Sequence, residues 1–346
     1  MFVFSEMMEL GSVQNKLACV FEVEVLREPS DKRCHQSYRV VATDRLRTEA
    51  IEHNVVSAVP SEKLDGTCVL ISDFQGKPWL WARHDRKPSK QAERKFRAFQ
   101  SNRKHLSNEG EEAGEEFVWN VSKDFREVPE HWVAAAGVES VAGVPQPESN
   151  GHIPGWVPVE PSSRQHCWHL SAVNLHHGLA LVLREDEHGD LEIVAVPLAE
   201  LDGHTAELIG TNINANAYKI GTKQCPLHLL IVHGSVKLQN PPRLALEELK
   251  DWFSSSPAGK VEGIVWHCED KTLFKLHRHH LGLPWPVQEP IFSQRRVKLC
   301  VDMAQYHITQ PVNSKHSGKD LFFMLGKARD RQCDSLSKVH ELLTAT

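Results

Sequence analysis

The chain has 346 residues, 40% hydrophobic and 25% charged, with a formal net charge of −5. That composition is globular: no apolar run reaches the roughly 20 residues of a membrane helix, so no membrane association is expected. The acidic balance excludes a globally basic nucleic-acid binder and leaves any basic surface local.

In chain order, the N-terminal apolar stretch is short and carries acids, which does not fit a signal peptide. Leu17–Val25 alternates as a strand and Tyr38–Ala42 reads as a second. Thr67–Ile71 is a buried strand by its β-branched run. Gln75-Gly76-Lys77 is a hairpin turn that leads back through a strand at Trp79–Arg83. Asp85–Lys95 is the densest basic segment, either a solvated face or a phosphate-binding one. Ser89 caps a helix there that runs through Phe96, Phe99 and Gln100. Asn102–Glu116 is a polar loop with an acidic end, after which Phe117-Val-Trp-Asn-Val121 resumes as a strand. Gly151–Val159, interrupted by prolines, is expected at a sheet edge or as a wall.

Further along, Leu179–Leu183 and Leu191–Val196 form a hairpin, and Leu208–Ile213 runs into Asn-rich turns. Leu227–Val232 is a buried strand and Leu244–Phe253 a helix, with Val261–Cys268 and Thr272–His277 forming a second hairpin. Helices are expected near 319–328 and 334–345. Strands dominate the first 280 residues, so the class is α+β: antiparallel sheets with helices outside them. Eight cysteines are scattered without a Cys-x-x-Cys pair. They read as free thiols in an intracellular, reducing compartment, cytoplasm or nucleus.

The chemistry concentrates at Ser61-Glu-Lys-Leu-Asp-Gly-Thr67. Lys63 stands between Glu62 and Asp65 where a short loop enters a buried strand. Burying a charged amine is costly, so its pKa should fall, as a nucleophilic amine requires. Lys-x-Asp-Gly also suits a surface lysine in a tight turn. If Lys63 attacks a polyphosphate, the chain must supply acids for a metal and cations for the phosphates. Three later stretches do so: Ala206-Glu207-Leu-Ile-Gly210, Val261-Glu262-Gly-Ile264-Val265, and Leu273-Phe-Lys275-Leu-His277-Arg278. Glu262 and Lys275 lie on two arms of one hairpin, where alternation would bring both into one cleft.

These stretches, in this order, resemble the motifs of the covalent nucleotidyltransferase superfamily. The chain is most similar to vertebrate-type ATP-dependent RNA ligases that join 5′-phosphate and 3′-hydroxyl ends. That similarity also rests on Leu-Trp-Ala-Arg-x-Asp-Arg-Lys-Pro, Gly-His-Ile-Pro-Gly-Trp-Val-Pro-Val and His-Arg-His-His-Leu-Gly-Leu. It runs from about Gly11 to Pro286. The resemblance implies a nucleotidyltransferase core over 1–290, a small helical extension over 291–346, and no OB domain, in a monomer. It implies ATP and Mg²⁺, or Mn²⁺ instead, as cofactors and RNA as partner. Lys63 would carry AMP, with Lys275 offsetting charge at the α-phosphate. Asp65, Glu207 and Glu262 would organise the metal's water shell, Glu207 alternatively touching the ribose. Arg83 would contact phosphate or ribose, Arg86 and Lys87 would serve the triphosphate or the RNA 5′-phosphate, and Glu62 would meet adenine through its backbone.

The departure is at Lys275-Leu276-His277, where a second lysine is usual, so either His277 or Arg278 replaces that cation. A histidine would make the charge pH-dependent. The surface against adenine falls to Ile264, Val265 or a residue between His228 and His233. His228 and His233 themselves read as hydrogen-bonded structural residues, and His277–His280 as a phosphate- or RNA-contacting or plain surface cluster. Two other functions share this core: a DNA ligase or guanylyltransferase, and a non-catalytic RNA-binding protein.

Overall fold

The computed structural model describes residues 11–29, 38–108, 117–308 and 321–345. It is mixed α+β, with several sheets and few helices. The chain divides into two compact units. The first holds the described residues within Met1–Val13, Leu17–Leu80 and Val159–Thr346; the second holds Gln14–Lys16 and Trp81–Pro158. Among the described residues no helix is long and apolar enough to cross a membrane.

Two main sheets and one strand pair form the first unit. The smaller has the order Ala18–Cys19, Leu273–His277, Gly263–His267, Val59–Lys63, antiparallel except where Ala18–Cys19 pairs in parallel. Ile264, Leu276, Phe274 and Trp266 are buried against Phe21, Leu249 and Phe253. The last two belong to the helix Leu246–Ser255, which carries its apolar residues at helical spacing. Each such buried side chain contributes about 2 kcal/mol. A strand pair, Phe21–Leu26 with Arg39–Leu46, adjoins this core.

The larger sheet contributes to this unit the strands Gln332–Cys333, Val297–Leu299, Leu191–Pro197, Leu179–Glu185, His228–Val232, Thr205–Gly210 and Thr67–Phe74, in that spatial order. The expected antiparallel pairing holds at the Leu179–Glu185 hairpin and around Thr205–Gly210. Two junctions are parallel, Val182 with Leu230 and Leu191–Ile193 with Val297–Leu299. Leu321, Phe322 and Leu325 of the helix Leu321–Lys327 join the same apolar cluster as Leu181, Ile193 and Leu229.

The second unit is built on Gly155–Pro158, which pairs with Trp81–Arg83 on one side and with Val133–Ala134 on the other. This corrects the edge expectation. Pro154 and Pro158 bracket the pairing, so Gly155 and Trp156 remain free to bond to both neighbours. Helix Lys90–Asn108 starts as expected, with the Ser89 hydroxyl accepting from the Ala92 N–H at 3.3 Å. Phe117–Val121 forms no strand. Phe117 meets Phe96 edge-on and Trp119 packs against it at a tilt, and Asn120 caps a short helix, Val121–Asp124. Alternation there reflects aromatic packing on a helix, with Val118 left 87% exposed.

Candidate active site

Register in the four-stranded sheet decides which residues can meet. Lys63 is paired with Gly263, and Gly263 with His277; Ser61 is paired with Val265, and Val265 with Lys275. Directly opposed residues share a face, and residues two apart on a strand share it too. Lys63, Val265, Lys275 and His277 therefore belong to one face. Ile264 is paired with Glu62 and Leu276 on the other, and it is fully buried in the apolar core.

Glu262 lies one residue before its strand begins, so alternation does not set its direction. It holds the centre of the site instead. Lys63 Nζ donates to Glu262 Oε2 at 2.7 Å, and His277 Nε2 lies 2.6 Å from Glu262 Oε1. The His277 Nδ1 accepts from the His279 N–H at 3.1 Å, which leaves Nε2 to carry the proton donated to Glu262. Glu262 is 4% exposed and His277 3% exposed. His277 thus pairs with an acid of the site.

Arg278 is occupied elsewhere. Its guanidinium donates to the Pro284, Phe253 and Gly259 carbonyls at 2.8, 3.0 and 2.8 Å. The histidine cluster is a local cap: His277 and His280 bond around the turn Arg278–Leu281, and both are buried.

Asp65 is held from both sides. Its Oδ1 accepts from Asn214 Nδ2 at 2.8 Å, and its Oδ2 from Trp285 Nε1 at 2.8 Å. Its own N–H donates to the Tyr218 hydroxyl at 2.9 Å. Gly66 lets this loop lie on the neighbouring strand: a Cβ there would sit 2.3 Å from the Leu208 carbonyl oxygen and 2.8 Å from Glu207 Cγ. Glu207 Oε2 lies 2.9 Å from His233 Nε2.

The expected fall in the Lys63 pKa does not occur. Burial pulls it down, but the charges of Glu262, Glu207 and Asp65 and the bond to Glu262 together raise it above the ordinary lysine value. Three acids around one amine outweigh desolvation. Glu62 goes the other way: burial, with Glu185 and Glu262 nearby, raises its carboxyl to about 8 against the pull of Arg295.

Several residues here have partners that the sequence does not reveal. Ser61 Oγ and His267 Nε2 lie 2.8 Å apart on the Lys63 face, and burial lowers the His267 pKa to about 4. His233 is hydrogen-bonded as expected, to Glu207 and Thr205, whereas Asn214, Trp285 and Tyr218 carry no sequence signal as partners of Asp65. His228, by contrast, is structural as expected: fully buried, it bonds the Ser171 hydroxyl and the Thr211 carbonyl, each at 2.6 Å.

Arg83, Arg86 and Lys87 belong to the second unit. Arg83 bonds Asp85 at 2.6 Å and lies over the Trp156 ring at 4.8 Å. Arg86 donates to the Arg126 carbonyl at 2.8 Å, and Lys87 is exposed.

The donor set Asp65, Glu207 and Glu262 is all carboxylate oxygen, which fits a hard cation such as Mg²⁺ held through its waters. The Lys63 amine, the three acids whose charges act on it and Lys275 make a set that can bind and activate a polyphosphate.

Comparison with known sequences gives the same direction. A model of the RNA ligase 1 family matches residues 7–342. "RNA ligase 1" of Danio rerio is 49% identical over 319 residues, 91% of this chain and 94% of the relative. "RNA ligase 1" of Mus musculus is 50% identical over 293 residues, 84% of this chain and 87% of the relative.

Proposed function

The chain belongs to the RNA ligase 1 family and is an RNA ligase, and we propose that it joins RNA 5′-phosphate and 3′-hydroxyl ends through AMP carried on Lys63. The observation that carries this reading is the Lys63 amine, 2.7 Å from the buried Glu262 carboxylate, on the sheet face that also bears Lys275.

Three in-line displacements at phosphorus follow. Lys63 Nζ attacks the α-phosphorus of ATP; a P–N bond forms and pyrophosphate leaves. An oxygen of the RNA 5′-phosphate then attacks, the P–N bond breaks, and AMP passes to the RNA end. Finally the 3′-hydroxyl attacks that 5′-phosphorus and AMP leaves. The chain's part is to position and to manage charge. Glu262 orients Lys63 and is the nearest acceptor for the proton that Lys63 must lose. His277 holds the other oxygen of Glu262. Lys275 offsets charge at the α-phosphate, and Asn214 and Trp285 fix Asp65. Asp65, Glu207 and Glu262 would hold Mg²⁺ or Mn²⁺, whose charge offsets that of the triphosphate and relaxes the hold of the acids on the Lys63 proton. Val265, on the Lys63 face, is the better placed of the two aliphatic candidates to meet adenine. A monomer in an intracellular, reducing compartment completes the proposal.

The test is incubation with α-labelled ATP or GTP and Mg²⁺, followed by a denaturing gel. We expect label from ATP in the wild type and none in Lys63→Ala with an unchanged melting temperature. Label retained by Lys63→Ala refutes the assignment, and label from GTP would point to capping chemistry. Sealing assays on RNA and DNA strands with these ends then test the substrate.

A further inference from the structure

Cys68, Glu207 and His233 come from three segments and meet at one point. Cys68 and Glu207 are Cα partners on adjacent antiparallel strands, so their side chains leave the same face. His233 follows the next strand, where its N–H bonds the Thr205 carbonyl at 3.1 Å. The thiol sulfur, a carboxylate oxygen and an imidazole nitrogen all lie within 4.8 Å of one another. The Glu207 and His233 side chains are 12% and 17% exposed; the group is sheltered yet open to a small ion.

We propose that Cys68, Glu207 and His233 bind a thiophilic divalent cation, zinc fitting best, with a fourth position left for water. A sulfur, a nitrogen and an oxygen donor form the mixed set that zinc accepts and that Mg²⁺ does not. Bonds of about 2.0–2.3 Å to zinc hold donor atoms roughly 3.3–3.8 Å apart in a tetrahedron. The Glu207 and His233 donor atoms stand 2.9 Å apart, and all three donors lie within 4.8 Å of one another.

The outer contacts suit the exchange of protons. His233 Nδ1 lies 2.9 Å from Thr205 Oγ1, which itself accepts from the Val13 N–H at 2.8 Å. Without metal, the Thr205 hydroxyl donates to Nδ1, and Nε2–H donates to Glu207. On binding, the His233 proton moves to Nδ1 and is donated to Thr205, freeing the Nε2 lone pair for the metal. Cys68 releases its thiol proton to solvent and binds as thiolate. A hydroxyl can serve either tautomer because it both donates and accepts.

A second consequence rests on the proposed adenylylation at Lys63. A cation on this triad withdraws Glu207 from the acids that serve ATP, so zinc should inhibit the enzyme at fixed Mg²⁺.

The experiment uses the full, reduced chain with Co²⁺ as a probe, read by the charge-transfer absorption of a thiolate–cobalt bond. We expect the band in the wild type and in Lys63→Ala, displaced by zinc in both. It should be absent in Cys68→Ser and His233→Gln, and about tenfold more metal should be needed in Thr205→Val. No band in the wild type, or a full band in Cys68→Ser, overturns the site. In parallel, zinc should cut AMP labelling of the wild type at least about tenfold, while Cys68→Ser labels normally at the same zinc concentration; equal inhibition of both overturns the inhibitory role. A wild type that takes no label at all refutes the Lys63 reading, and the cobalt band still decides the metal site independently.

Discussion

Arg278→Met separates two roles for the stretch after Lys275. The guanidinium donates to three carbonyls, of which those of Phe253 and Gly259 lie in buried residues. Methionine keeps most of the aliphatic stem, so the loss is mainly polar. Leaving two buried acceptors unpaired costs about 1–3 kcal/mol each, and the third bond adds less. The sum is about 4 kcal/mol, a large part of the 5–15 kcal/mol typical of a folded domain. At roughly 2–4 °C per kcal/mol, the melting temperature should fall by about 10 °C. Below the transition, the ATP dependence of AMP labelling should be unchanged within about twofold. The assay pairs thermal unfolding by circular dichroism with labelling rates over a range of ATP concentrations. A variant melting within about 2 °C of the wild type while its KM for ATP rises tenfold would refute the reasoning. Arg278 would then be the phosphate cation, not an anchor for the helix Leu246–Ser255 and the loop after it.

Four further outcomes follow from the geometry. Glu262→Gln keeps the shape but removes the charge beside Lys63, and AMP labelling should fall about 10²-fold with melting preserved; full activity in Mg²⁺ would remove Glu262 from the chemistry. Trp285→Phe deletes the donor to Asp65 Oδ2, and about tenfold weaker Mg²⁺ dependence is expected in a metal titration of labelling; an unchanged titration would contradict the positioning role. Gly66→Ala forces a Cβ to within 2.3 Å of the Leu208 carbonyl oxygen, so we expect about 2–3 kcal/mol of destabilisation in urea and loss of labelling; wild-type behaviour would mean the loop does not lie on that strand. Glu62 has its carboxyl raised from 4.5 to about 8 when folded. Between those values the folded state binds the proton more firmly, so this group's stabilisation is complete below about pH 4.5 and is lost as pH rises through about 8. Glu62→Gln should therefore gain stability relative to wild type from pH 5 to pH 8, measured by urea midpoints; a constant difference would refute it.

The order of the candidate site residues is written in the sequence. Lys63, Asp65, Glu207, Glu262 and Lys275 each sit beside a strand that composition and period make legible, and motif spacing carries their resemblance to RNA ligases. The sequence also determined the class, because local propensity and alternation decide most of these strands and helices. Face and partner were decided only in three dimensions. Ile264 and Val265 are neighbours in the chain, and the register against Glu62 and Ser61 puts one in the core and the other toward Lys63. His277 and Arg278 offered equal cations on paper; a buried acid claims one and three backbone carbonyls claim the other. Phe117–Val121 alternates like a strand, but among the described residues no strand pairs with it, and its rings pack on a helix instead. The Lys63 charge state followed the same rule. Burial is partly legible from an apolar flank, whereas Glu207 and Glu262 stand 144 and 199 residues away along the chain and reach the amine only after folding. Electrostatics depends on distance in space, and distance in space is what a linear pattern does not contain.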